Sequence, residues 1–112
     1  MLFRSRLTWP QLVALTSANP AKLFGLYPQK GALQPGSDAD IVVFDPRPER
    51  TIKATNLHNI AGYTPYEDRT VHGHVRLTIS RGQVVYKAGE FLGQRGWGRF
   101  VEGKPFDRRL RL

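Results

Sequence analysis

The sequence has no cysteine. That excludes disulfides, thiolate zinc ligands and a cysteine nucleophile together, and makes a disulfide-stapled secreted domain untenable. It also lacks any apolar run near the roughly 18 to 20 residues that a membrane-spanning helix needs. The opening MLFRSRLTWPQ has no apolar stretch followed by small residues of the secretory kind. A soluble, cytoplasmic chain without membrane partners is the expectation. Acidic residues are scarce: 9 Asp and Glu against 17 Lys and Arg give a net charge of +8. Such a balance can serve phosphate contacts. However, apart from Arg4 and Arg6 at the start and Arg108, Arg109 and Arg111 at the end, the positive charge is dispersed. There is no aromatic RNA-binding pattern, Cys/His finger or helix lined with Lys and Arg. A solvated surface with a basic tail is the plainer reading, and a nucleic-acid partner is not expected.

What is present fits one small domain of 112 residues, 40% hydrophobic and 23% charged, close to ordinary globular usage. Thr8, with Gln11 three residues later and Pro10 between them, predicts a capped helix carrying Leu12, Val13 and Leu15 and ending near Ser17. Asn19-Pro20 predicts a second start, with Leu23, Phe24 and Leu26 as its apolar face and Gly25 and Pro28 as its stop. Two short helices joined at Ser17-Ala18-Asn19 are expected.

From residue 29 the pattern changes. QKGALQPGSDAD is turn-rich, and Ile41 to Phe44 is a compact run suited to a strand covered on both faces. Thr51 to Ala54 is a weaker strand candidate. Residues 55–69 form a long loop with Tyr63, Pro65 and Tyr66 available to anchor it. Val71 to Ser80 is a long strand, Arg81-Gly82 a two-residue hairpin turn, and QVVY the returning strand. Lys87 to Glu90 makes another turn before Phe91. The glycine- and arginine-rich remainder reads as an extended tail needing a surface to lie against. Two helices, four to six short strands and a tail leave too few strands for a closed domain, so the chain reads as a piece of something larger.

The candidate chemistry is thin. His72 and His74, at i and i+2 on a strand, leave one face and offer two imidazoles to a metal. A pair falls short of the three or four ligands a zinc site uses, and His58 lies 14 residues away. Asp38 and Asp40 invite a paired-carboxylate reading, but short acidic residues at a strand entry commonly accept backbone N–H bonds. Ser37 and Ser80 do not form a Ser-His-Asp set with the histidines. GQRGWGRF has glycines but neither the strand–helix context nor the lysine spacing of a phosphate loop. Trp97, Phe100 and Phe106, with unpaired strand edges, favour association.

Two stretches carry a resemblance. LTSANPAKLFGLYPQKGALQPGSDADIVVFDP (15–46) and YTPYEDRTVHGHVRLTISRGQVVYKAGEFLGQRGWGRFVEGKPF (63–106) closely resemble the C-terminal segment of dihydropyrimidinases and D-hydantoinases, cyclic-amide hydrolases of the amidohydrolase superfamily. The likeness spans about residues 7–107. Gly31, Leu33, Gly36, Ala39-Asp40 and Ile41 to Phe44, like Asn19-Pro20-Ala21-Lys22 and Phe24-Gly25-Leu26, are shared widely among amidohydrolases. Tyr63-Thr64-Pro65-Tyr66-Glu67 and Gly96-x-Gly98-Arg99-Phe100 narrow it to this branch.

The resemblance implies a mainly β chain with two short N-terminal helices. Residues 1–28 would be the last barrel-side helices of a truncated (β/α)8 barrel, 29–92 the C-terminal strands of a partial β-sandwich, and 93–112 an extended basic tail. The family's metal ligands lie upstream of the matched segment. The resemblance therefore assigns no catalytic, cofactor-binding or metal residue here, although zinc is expected in full-length members. It places His72 and His74 in the sandwich, and implies a partner: the missing barrel and N-terminal sandwich part, or further copies of the chain, since such tails often reach a neighbouring subunit. The expected function is that of a non-catalytic fragment of a cyclic amidohydrolase, serving structure and oligomerisation. The alternatives are a non-catalytic interaction module of dihydropyrimidinase-related type or a basic nucleic-acid binder.

Overall fold

A computed structural model describes residues 6–58 and 60–109. Met1, Arg4 and Arg111, with the first and last residues of the segments named above, lie outside them.

The chain opens on α1 (Trp9–Val13), with the expected cap in place. The Thr8 hydroxyl accepts from the Gln11 amide at 3.4 Å, and the Gln11 side chain accepts from the Thr8 amide at 2.8 Å. The expected break at Ser17 to Asn19 does not occur. Ala14–Ala18 is a π-helical turn that runs directly into α2 (Asn19–Leu23), and Asn19 is itself helical at φ −68°, ψ −44°. The reason is local. Pro20 donates no hydrogen bond and its ring crowds the carbonyl four residues earlier. The wider π turn, in which the Asn19 amide reaches back to the Ala14 carbonyl, makes room for it without ending the helix. The stop at Gly25 is as expected: it takes φ +66°, and the Leu26 amide reaches back to the Ala21 carbonyl at 2.8 Å, the bonding of a glycine-terminated helix.

Four strands follow in a meander, ordered β1-β2-β3-β4, each antiparallel to the next. These are β1 (Ile41–Thr51), β2 (Thr70–Ser80), β3 (Gln83–Lys87) and β4 (Glu90–Phe91). β1 absorbs Thr51, so the separate strand expected at Thr51 to Ala54 is absent; Ala54–Asn56 is a 3-10 turn instead. The ladder between β1 and β2 breaks between Asp45 and Glu49, where Pro46 and Pro48 have no N–H to give. The Arg81-Gly82 turn has φ of 47° and 83°, the left-handed pair that a two-residue hairpin requires. Ala88-Gly89 repeats it at 50° and 99°. The long loop is held by its acids rather than by its tyrosines. Glu67 accepts from the Ala54 amide at 2.8 Å and Asp68 pairs with Lys53, whereas Tyr63 and Tyr66 remain exposed.

The architecture corrects the expected fold class. Among the described residues there is one open four-stranded antiparallel sheet with a single helix cluster, not two separate helices with part of a sandwich and the end of a barrel. All four strands are consumed by one consecutive meander. None remains to build a facing sheet, and no βα crossover supplies a barrel.

The expectation that Ile41 to Phe44 is covered on both faces also fails. Val42 is 61% exposed and Val43 45%. Among the described residues Ala21 is the buried hydrophobic residue, and no large side chain is fully buried. The chain exposes 9177 Å², about half as much again as the roughly 6,200 Å² expected of a compact 12.7 kDa protein. Its radius of gyration of 16.2 Å compares with about 13 Å for a compact chain of this length. These elements do not close a core by themselves.

One contact explains the middle of the His-Gly-His stretch. Gly73 is buried on β2 at φ +104°, and the Phe44 ring of β1 lies on it so closely that a Cβ would overlap the ring. Trp9 of α1 meets the same ring at a tilt, 5.5 Å between centroids. The glycine is there for the aromatic ring.

Candidate functional site

His72 and His74 have the spacing of a pair of metal ligands. On β2 they stand opposite carboxylates of β1: His72 is in register with Glu49 and His74 with Asp45. The His72 Nε2 lies 3.8 Å from the Glu49 carboxylate, both side chains at least half exposed, a loose surface pair of little energetic weight. The Asp45 carboxylate is turned to its own neighbour, accepting from the Arg47 amide and guanidinium at 3.1 to 3.2 Å. Those bonds hold its carboxyl below the usual range. His74 and His58 line one open groove of about 390 Å³ with Arg50, Tyr86 and Phe91, where the His58 ring meets Tyr86 edge-on at 5.9 Å. The strand thus sends His72 and His74 to different surroundings. Among the described residues no group of three or more His, Cys, Asp or Glu is placed to hold a metal ion. The donor set does not fit zinc.

Asp38 and Asp40 are brought together, with cations between them. Lys30 bridges the pair, 3.0 Å from Asp38 and in contact with Asp40. Gln29 donates to Asp38 at 3.1 Å, Arg99 lies 3.4 Å from it, and the Arg81 amide donates to Asp40 at 2.8 Å. The Lys30 bond, then that of Gln29, holds the Asp38 carboxyl below the ordinary carboxylate range. Desolvation alone would lower the Lys30 pKa, but its bonds to Asp40 and Asp38 outweigh this and leave it raised. A general acid needs the opposite arrangement, in which one carboxyl of the pair is pushed up. This is a structural clasp.

The clasp continues into the tail. The Arg81 guanidinium stacks on Trp97, 4.4 Å from the ring centroid, and donates to the Trp97 carbonyl. The Trp97 indole N–H donates to the Ser80 hydroxyl at 3.3 Å. Ser37 is engaged elsewhere, donating to the Pro28 carbonyl at 2.7 Å, so neither serine has a histidine as base. Sequence reasoning singled out the two aspartates and Trp97 but missed Lys30, Arg81 and Arg99 as their partners. The only signal in the chain order is Arg81's position at the hairpin tip. Lys30 and Arg99 meet Asp38 from 8 residues before it and 61 after, separations no local pattern encodes.

Comparison with known proteins agrees with the fold's incompleteness. Residues 2–86 match the profile of the amidohydrolase family, and the chain belongs to that family. Among curated relatives it is similar to D-phenylhydantoinase of Escherichia coli, for example of strain K12 / DH10B, being 50% identical over 101 residues that cover 90% of this chain and 22% of the relative. The same likeness holds for D-phenylhydantoinase of strain HS. Among solved structures, dihydropyrimidinase from Brevibacillus agri NCHU1002 superposes with a TM-score of 0.90 at 43% identity, over 96% of this chain and 23% of that one. L-hydantoinase from Arthrobacter aurescens gives 0.84 at 40% identity, over 90% and 22%. The chain is homologous to a fragment of the hydantoinase and dihydropyrimidinase proteins, spanning about a fifth of their length.

Proposed function

We propose that this chain is a non-catalytic, C-terminal share of a hydantoinase- or dihydropyrimidinase-like cyclic amidohydrolase. The observation that carries the reading is the open core. Trp9, Val13, Leu23, Phe24, Leu33 and Val42 are each about half exposed or more, and at about 25 cal/mol per Å² such surface is costly to leave in water. A piece about a fifth the length of its relatives, with a family fold and no closed core among its described residues, reads as one part of a larger packed unit. Hydrolysis of a cyclic amide bond in dihydropyrimidines or hydantoins, by a metal-activated water, belongs to the complete protein. Residues 1–28, 29–92 and 93–112 act as its helical, sheet and tail segments. None of the residues of this chain serves as a catalytic, cofactor or metal site. Its partner is the remaining part of such a protein or further copies of itself. Its expected location is the cytoplasm.

Two measurements test this. The purified chain with added zinc should hydrolyse neither dihydrouracil nor hydantoin. Turnover that survives removal of contaminants and replacement of His72 and His74 by alanine would overturn the reading. Co-expressed with the part of E. coli D-phenylhydantoinase that it does not match, the chain should co-purify as a complex; failure to associate would count equally against it.

A further inference from the structure

The helix cluster and the sheet have little direct hold on one another. Among the described residues no helix Cα comes within 8 Å of a strand Cα, and the ring contact between the two groups is Trp9 on Phe44. The segments that reach both are the connecting loop 24–40 and the C-terminal tail. The tail leaves the sheet with the Leu92 amide donating to the Val85 carbonyl at 2.8 Å. It is then clamped at the hairpin by Arg81, Trp97 and Ser80, and tied to the loop by Arg99 and Asp38. At its far end the Lys104 amide donates to the Gly25 carbonyl at 2.9 Å. There the two backbones lie directly together: a Cβ on Gly25 would overlap the Lys104 peptide, and one on Gly103 would press on the Phe24 carbonyl.

We propose that residues 92–104 are an intramolecular strap that fixes the helix cluster against the sheet, doing the positioning that a shared core would otherwise do. The sequence suggested a tail reaching toward a neighbouring subunit; these contacts run over its own chain. The inference concerns how the chain holds its own parts, and stands or falls apart from the proposed function. Specificity comes from both ends. The hairpin end uses a cation stacked on an indole, and the helix end uses the space that only a glycine leaves at a helix stop.

The test is NMR on the whole labelled chain, reading the Trp9–Phe44 ring cross-peak and amide exchange at Lys104, the helices and β2–β3. Gly25→Ala unseats the far end. Trp97→Phe is the milder variant, keeping an aromatic surface under Arg81 but losing the bond to Ser80. In both, the cross-peak should weaken or vanish and the Lys104 and helix amides should exchange about tenfold faster or more, while β2–β3 protection is unchanged. The loss should be smaller in Trp97→Phe. A cross-peak retained in Gly25→Ala with Lys104 deprotected would mean that the tail lies passively on the surface. Equal loss of sheet protection in both variants would mean one cooperative unit. Either result overturns the strap.

Discussion

Replacing Gly73 by alanine is the sharpest single perturbation this structure offers. Two effects add at that position. At φ +104° a side chain is strained by about 1–3 kcal/mol. The new methyl would also occupy the space of the Phe44 ring, and displacing a packed ring costs about 1–3 kcal/mol more. A destabilisation of about 2–4 kcal/mol is expected, less than the full sum because the ring can swing outward at a position already 39% exposed. Trp9 is in tilted contact with that ring, so Trp fluorescence during urea unfolding is the assay. With a urea slope of about 1–3 kcal/mol per M, the midpoint should fall by about 1–2 M. A double-mutant cycle isolates the cause: with Phe44→Leu in the background, Gly73→Ala should lose at least about 0.5–1 kcal/mol of its effect. A midpoint shift under about 0.3 M, or an effect unchanged by Phe44→Leu, would refute the account of why glycine stands between the histidines.

Other expectations are quicker to check. His72→Ala with His74→Ala should change stability by no more than about 0.5 kcal/mol per site, and the wild-type chain should retain no stoichiometric zinc after dialysis, read by metal analysis. Stability against pH can be followed by denaturation midpoints. Below about pH 4 it should fall, because Asp38, Asp45 and Asp107, with pKa values lowered by Lys30, Arg47 and Arg109, lose their charge as pH drops through the folded-state values. Above about pH 10.5 it should fall again, as Lys30, whose pKa is raised despite its desolvation, loses its proton. Phe100→Ser, at a side chain 89% exposed, should leave the melt within about 0.5 kcal/mol while reducing self-association in sedimentation.

Local chemistry was legible in the sequence where neighbours along the chain decide the outcome. Thr8 and Gln11 cap a helix, Gly25 ends it, and Arg81-Gly82 turns a hairpin, each as their residue types require. Features set by distant partners were not. Asn19-Pro20 looks like a helix start, and only the π turn before it shows how Pro20 can sit within a continuous run. Ile41 to Phe44 has the composition of a doubly covered strand, but among the described residues Val42 and Val43 stay about half exposed or more. The His-x-His spacing predicts two rings on one face of a strand, but which groups stand opposite them depends on the register with β1. The ion pairs of Asp38 and Asp40 depend on Lys30 and Arg99 arriving from elsewhere.

The irregularities of β1 have a meaning beyond the gap they leave in the ladder. β1 is one of the sheet's two edge strands, and among the described residues no strand lies on its far side. The register shifts between Val43 and Phe44 and between Asp45 and Glu49 bend this strand, so its regular stretches are short, the run Ile41 to Asp45 being about 17 Å of chain at 3.4 Å per residue. A strand from another polypeptide could dock on this margin, but could not be templated along its whole length. Growth by endless stacking along this edge is therefore checked.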